Sequence, residues 1–563
     1  MAASLRDNDV SRNKLKSPAQ SELNYVLDPC PGGRSPHFKV KLSFKGNETG
    51  IVKIKLPSEW AGQAKLYECI KRIRASSPDT VLTDTADPQI KVITHRPRQV
   101  ITIIYQVHPS RAGNPADPGF YYRPILQKEY FHFIGEGFFI HPAWDDEQLS
   151  QIVIQWKNLP HHWIVSNSFG NDQHRQMIKR TLAQLRHAIY IGGDFRIKKI
   201  LIKGHPLYVA LRGRWAFSDR SYFKLVKKIV EAERAFWRDY DFPYFLITLI
   251  PTSEQCSTYG GTGLTDSFAS FAPPGRPIDA HLKHLLAHEL FHAWNGRKVG
   301  RQQPEELVYW FSEGFTEYYT RLLLLRSGLM TLEEYIRDYN RVIFNYYSSP
   351  VRTAKNREIL KYFWTNTLIR QLPYWRGDIL AHNWNAAIRA HSKGRFSLDN
   401  LMIDLLGDAQ SQGTFVSANS IDVLMKYYLV KGVREDIKNH IVAGDLIVPD
   451  KTALGPYVKL RTVERHQFEL GFDYETSIHG KVTAGVKRRS NAYRAGLRNG
   501  QIILGATVFF GDVTKMVEIR VKASKVERTI KFYPLGRTIA VPQYELKCSH
   551  VRSPALDSQR NGK

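Results

Sequence analysis

The stretch HELFHAWN, His288 to Asn295, decides how the rest of this chain is read. Two histidines stand four residues apart, with a glutamate directly after the first. Four residues is just over one helical turn, so on a helix His288 and His292 project from one face and can grip a single metal ion. An ordinary amphipathic helix tolerates the same spacing, so the surrounding sequence has to choose between the two readings.

Downstream, VYWFSEGFTEYYT, Val308 to Thr320, opens a second helical pattern in which Glu313 follows His292 by 21 positions. A carboxylate there can supply a third ligand. Two histidines and one glutamate leave a fourth position open for water, as hydrolytic zinc needs. Glu289, one helical step round from His288, then stands near that water as a general base. Glu317, one turn after Glu313, reads either as a surface carboxylate or, preferably, as the acceptor for the free imidazole N–H of a histidine ligand. His284 and His281 continue the stripe and read as packing or surface residues, because three ligands suffice.

HELFHAWN followed by WFSEGFTEYYTRLLLLRSGL resembles the glycyl aminopeptidase family of zinc peptidases, part of the gluzincin group. The likeness continues through GLMTLEEY (Gly328 to Tyr335), YYSSPVR (Tyr346 to Arg352) and RFSLDNLMIDLL (Arg395 to Leu406), and spans residues 205–440. The resemblance implies a thermolysin-like catalytic domain, peptide or protein substrates, and one zinc per chain held by His288, His292 and Glu313 with Glu289 as base. It also implies that Tyr374, in LPYWRGDIL, hydrogen-bonds the developing oxyanion; Arg376 and Asp378 are weaker candidates.

A second informative stretch is TYGGTGLTDSFASF, Thr258 to Phe271. In this group of enzymes a Gly-Gly segment before the zinc helix forms an edge strand that holds the substrate backbone, and bare glycines allow close approach. The implied substrate-binding residues are Gly260, Gly261, Thr262, Gly263 and Asp266. Relatives usually place a glutamate shortly after the glycines to hold the substrate's α-amine, but Thr262, Gly263, Leu264 and Thr265 follow here, leaving Asp266 as the candidate substitute. An aminopeptidase is the leading expectation. An endopeptidase of altered specificity and a catalytically weak peptide-binding scaffold are the alternatives.

Near the C-terminus, ELGFDYETS (Glu469 to Ser477) and SNAYRAGLRNGQIIL (Ser490 to Leu504) resemble a PDZ domain. Leu470, Gly471 and Phe472 would form a carboxylate-binding loop for a peptide C-terminus. A Gln501 stands where an aspartate is usual.

Composition sets the frame. The 563 residues exceed one core, and 43% hydrophobic with 12% aromatic residues indicate a folded protein. The net charge of +27 is spread along the chain and reads as solvated surface, so no nucleic-acid partner is expected. Four scattered cysteines suggest neither disulfides nor a thiolate metal site. No apolar run is long enough to span a membrane and no signal peptide is visible; a cytoplasmic protein is expected, or a secreted or periplasmic one if a leader is missing. The sequence leaves the oligomeric state open.

The fold class expected is multidomain α+β. A disordered N-terminus (1–20) precedes an N-terminal β domain (21–200) with alternating strands such as FKVKLSF and FHFIGEGFFI. A mainly α catalytic domain (201–450), a PDZ-like β domain (456–540) and a polar tail (541–563) follow.

Overall fold

The computed structural model describes residues 22–547 apart from 33–34, 255 and 524–525. The expected N-terminal disorder and most of the polar tail lie outside these residues.

Period-two alternation produces strands where the sequence indicates them. FKVKLSF lies within His37–Lys45 with Phe38, Val40, Leu42 and Phe44 buried, and Val100–Val107 buries Ile101, Ile103, Tyr105 and Val107. Both belong to a six-stranded sheet that also contains Glu22–Cys30 and Leu149–Trp156. FHFIGEGFFI is not a single strand. Tyr130–Ile134 is extended, and the chain then turns at Gly135–Gly137, where a Cβ on Gly135 would lie 2.4 Å from the Leu185 carbonyl oxygen. Glu136 in that turn is buried against Arg186 at 2.7 Å.

A five-stranded sheet follows in the order Arg196–Ile202, His205–Leu211, Leu246–Pro251, Ser267–Ala272, Gly260–Leu264. Leu246–Pro251 is buried at every position because it lies between two parallel neighbours. Gly260–Leu264 pairs antiparallel with Ser267–Ala272 and is the edge, as the Gly-Gly segment leads one to expect. The zinc-motif helix, Ala280–Phe291, lies against these last two strands.

Residues 1–231 and 239–293 form one compact unit, and 232–238 with 294–563 form another. The sheet at 196–272 and the motif helix thus group with the N-terminal strands, whereas the sequence reading places them with the catalytic helices. In the second unit the principal helices are Tyr309–Ser312, Gly314–Arg326, Leu332–Ser348, Thr367–His391, Leu398–Gln412 and Ala418–Tyr428, in keeping with the mainly α texture read from the sequence.

The C-terminal module builds a small core from Phe472, Ala492, Leu497, Val517, Ile519, Val521, Ile530 and Phe532. A short helix, Asn491–Arg494, is followed by the strand Ile502–Thr507. The expected polar tail does not begin at Val541. Leu535–Leu546 is a strand paired with Val458–Phe468, and Val541 and Tyr544 are buried. Asn340 secures this strand to Leu332–Ser348, donating to the Tyr544 carbonyl at 2.8 Å and accepting from its N–H at 2.8 Å. Polar side chains with an aromatic core residue at this register hold the chain end, which hydropathy alone does not reveal.

Candidate metal and catalytic site

The motif helix begins at Asp279, whose carboxylate accepts from Leu282 N–H at 2.9 Å and, on its other oxygen, from the Tyr259 hydroxyl at 2.8 Å. His288 lies in the last turn of that helix and His292 closes it in helical conformation, so the i,i+4 geometry holds. Both imidazoles are 9% exposed, and their Nε2 atoms are 3.1 Å apart. His281 is at the surface beside Asp279 and Tyr259, and the His284 ring stacks on His288 at 5.8 Å.

Glu313 joins two helical segments, Tyr309–Ser312 and Gly314–Arg326, and is 8% exposed. One nitrogen from each histidine and one Glu313 oxygen all lie within 4.8 Å of one another. Ligands about 2.0–2.1 Å from a tetrahedral zinc are separated by roughly 3.3 Å, so the 3.1 Å spacing of the imidazole nitrogens and the nitrogen–nitrogen–oxygen donor set both fit that ion. The Arg301 guanidinium stands 4.0 Å from Glu313 and 2.6 Å from Glu305. Burial disfavours its charge, yet Glu313 and Glu305 outweigh that and raise its pKa, so a fixed cation faces the Glu313 carboxylate.

Two glycines position Glu313. A Cβ on Gly314 would lie 2.4 Å from Gly377 Cα, and one on Gly377 would lie 1.6 Å from the Trp310 carbonyl oxygen. The backbone of Thr367–His391 therefore presses directly on the Glu313-bearing segment. Tyr374 precedes Gly377 by three residues, which puts it on the helix face that makes this crossing; it is partly exposed. The family resemblance points to Tyr374 in LPYWRGDIL, and the structure supplies a reason for the glycine that follows it.

Arg376 and Asp378 have structural partners. Arg376 Nη2 donates to the Arg352 and Ala354 carbonyls at 2.7 Å each, and Asp378 is fully buried against Arg321 and His382. Arg321 also reaches Glu317 at 3.5 Å and Asp338 at 3.3 Å, so Glu317 has a buried cation one turn along its own helix.

Asn295 ends the HELFHAWN stretch, and the motif spacing gives it no role. It is buried, and its amide donates to the Ser312 carbonyl and the Thr316 hydroxyl, each at 3.1 Å. Those residues bracket Glu313. The only sequence signal is an amide three residues past the second histidine. Asn295→Ala removes both bonds and leaves only the 2.6 Å bond from the Thr316 hydroxyl to the Ser312 carbonyl; about 1–3 kcal/mol of stability should go, the scale of two hydrogen bonds, together with zinc retention during dialysis against a weak chelator. Zinc retained as firmly as in the wild type would show that Asn295 does not help hold Glu313.

Glu289 faces the edge strand. A Cβ on Gly261 would lie 2.8 Å from Glu289 Cγ and 3.0 Å from Leu285 Cδ1, whereas one on Gly260 would strike the Tyr121 ring at 2.2 Å. Alternate residues of a strand point to opposite faces, so the pair Gly260-Gly261 is needed on both sides at once. The expectation of bare glycines for substrate approach thus gains an internal cause. Thr262 accepts from Trp60 Nε1 at 3.2 Å on the Tyr121 face, and Gly263 follows on the Glu289 face. Asp266 occupies the hairpin turn, φ 43°, beyond the last strand pair Leu264↔Ser267. It is five positions past Gly261, with roughly 10 Å of strand intervening. The Tyr122 hydroxyl donates to the Gly261 carbonyl, and burial followed by the nearby Glu289 charge raises its pKa.

Leu470, Gly471 and Phe472 do not present an open loop. Phe472 is in the core, and the Gly471 carbonyl accepts from Lys487 N–H at 2.8 Å. The chain next forms the helix Tyr474–Gly480, so among the described residues no strand follows the loop to receive a peptide.

A histidine pair and a glutamate converging in this way define a zinc metallopeptidase. Residues 281–366 match the family model of M61 glycyl aminopeptidase, so the chain resembles that family of zinc peptidases over the segment that carries the histidine pair and Glu313. Among solved structures, an aminopeptidase N family protein from Idiomarina loihiensis aligns over 93% of this chain and 98% of its own, at 15% identity and a TM-score of 0.72, a likeness of fold. An M1 zinc metallopeptidase from Deinococcus radiodurans aligns over 76% of this chain and 95% of its own, at 14% identity and a TM-score of 0.47. No curated protein sequence matches. Among the described residues no helix is long and apolar enough to cross a membrane.

Proposed function

We propose that this chain is an aminopeptidase in which Glu289 is the general base and Tyr374 hydrogen-bonds the developing oxyanion. The observation that carries the reading is the convergence of His288, His292 and Glu313 within 4.8 Å, with Glu289 seated under Gly261 of an edge strand. Zinc, when bound by those three residues, supplies Lewis acidity that makes water a nucleophile near neutral pH. Glu289 takes the proton of the attacking water and returns it to the leaving amine, which keeps both transfers on one carboxylate. Gly260, Gly261, Thr262 and Gly263 offer backbone groups for a substrate strand, which fixes the scissile carbonyl above Glu289. Tyr374, a neutral O–H donor, contributes most when charge develops on that carbonyl. Glu317 fixes the orientation of a histidine ligand.

A second reading, an endopeptidase, is favoured by the absence of any carboxylate between Gly261 and Leu264 and by the place of Asp266 at the hairpin turn. Free-amine peptides and their N-acetylated counterparts separate the two. An aminopeptidase cleaves only the free-amine set, with a preference of about 10²-fold or more, since a site built around an amine rejects its blocked form. Equal rates on both sets would replace the aminopeptidase with the endopeptidase. The C-terminal PDZ-like module is read as packing: Gln467 donates to the Ser348 carbonyl at 2.8 Å and Tyr544 stacks on Tyr339 at 5.6 Å.

A further inference from the structure

Three aromatic side chains from loops of the N-terminal β region converge on the segment that leads into and forms the edge strand Gly260–Leu264. The Tyr121 hydroxyl bonds to Thr258, at 2.6 Å to its Oγ1 and 3.0 Å to its carbonyl, while the ring lies under Gly260 and stacks on Phe271 at 4.9 Å. The Tyr122 hydroxyl donates to the Gly261 carbonyl, and Trp60 Nε1 donates to Thr262 Oγ1. The contacts fall on Thr258, Gly260, Gly261 and Thr262, along the whole stretch a substrate would lie beside.

An edge strand has a partner on one side only, and three of its first four residues are glycines with no side chain to pack. By itself such a strand is poorly fixed. A peptide adding to it would then bear the entropy cost of straightening it. The aromatic contacts meet that cost during folding. They also fix the gap to Glu289, because Gly261 is held from its carbonyl by Tyr122 while its α-carbon rests on the Glu289 side chain.

We propose that Trp60, Tyr121 and Tyr122 form a clamp that preorganises the substrate-binding edge strand, with Tyr122 the positioning residue that sets Gly261 against Glu289. The proposal rests on the reading of Gly260–Leu264 as the strand that receives the substrate backbone. It gives the loops of the N-terminal β region a part in recognition of extended peptides, so that dependence on the clamp grows with the length of chain lying along the strand.

Tyr122→Phe keeps the ring and removes only the hydroxyl. KM for a free-amine tetrapeptide should rise about tenfold, the scale of one lost hydrogen bond. A single-residue arylamide, which reaches little of the strand, should be affected several-fold less. Trp60→Phe, which removes the indole N–H, should shift the two substrates in the same order. Equal losses on both substrates, or no loss on the tetrapeptide, would overturn the clamp. Calorimetric binding of the tetrapeptide to zinc-loaded Glu289→Gln protein gives a readout without turnover, and Tyr122→Phe in that background should weaken Kd about tenfold. If the wild type hydrolyses neither substrate, the hydrolytic reading fails while the calorimetry still decides the clamp. Unchanged Kd, or no peptide binding at all, overturns it.

Discussion

Glu289→Gln should bind zinc as the wild type does and lose peptide turnover by about 10³-fold or more. The amide has nearly the volume of the carboxylate, so the Leu285 and Gly261 contacts survive and the histidines on the same helix are undisturbed. What disappears is the capacity to accept a proton, and general base catalysis is typically worth 10²–10⁴-fold. Glu289 serves both transfers in the proposed reaction, so the upper part of that range applies. Metal analysis and steady-state rates on the same sample check this. Near-normal turnover at full zinc occupancy would remove Glu289 from the mechanism.

Gly377→Ala has the second large effect, and it acts through packing of the backbone. The new methyl would be placed 1.6 Å from the Trp310 carbonyl oxygen, a backbone atom that cannot rotate away. Overpacking usually costs about 1–3 kcal/mol, and a clash with backbone at this distance exceeds that range because two helices must separate. Their separation displaces Glu313, so loss of the third ligand should accompany loss of stability. Urea unfolding with zinc analysis would show both: a midpoint lowered by more than about 3 kcal/mol equivalent and substoichiometric metal. A variant as stable as the wild type would mean that the helix crossing is looser than the contact between Gly314 and Gly377 indicates.

These two effects differ in how far they can be read from the sequence. The position of Glu289 was legible because it depends on local spacing: a helical step from His288, with Glu313 opening the next helix. Helical periodicity carries that information over a few turns. The edge strand at Gly260-Gly261 came from the resemblance to a family and not from periodicity, and the structure places that strand at the edge of its sheet. The causes of the glycines were not legible. Tyr121 and Glu289 lie on opposite faces of the strand, and one of them is more than a hundred residues away in the chain. Gly377 against Trp310, and Asn295 against Ser312 and Thr316, are also tertiary contacts with no period to announce them.

The strands show the same division. Alternation placed His37–Lys45 and Val100–Val107 well, yet it ran FHFIGEGFFI together because apolar residues flank a turn that only the buried Glu136–Arg186 pair and the crowded Gly135 explain. Near the C-terminus, polar residues in PQYEL hid a strand that Asn340 holds through backbone hydrogen bonds. Hydropathy reads burial, and where a segment is held by polar contacts it reads that segment as loose.

The central claim is that His288, His292 and Glu313 together hold the zinc on which hydrolysis depends. Titration of metal-free protein with zinc, followed by cleavage of a free-amine peptide, tests it most directly. Activity should rise linearly and break at one equivalent per chain, and His292→Ala should show no rise over the same range. Turnover that is already complete in the metal-free protein, or an undiminished break in His292→Ala, would contradict the account.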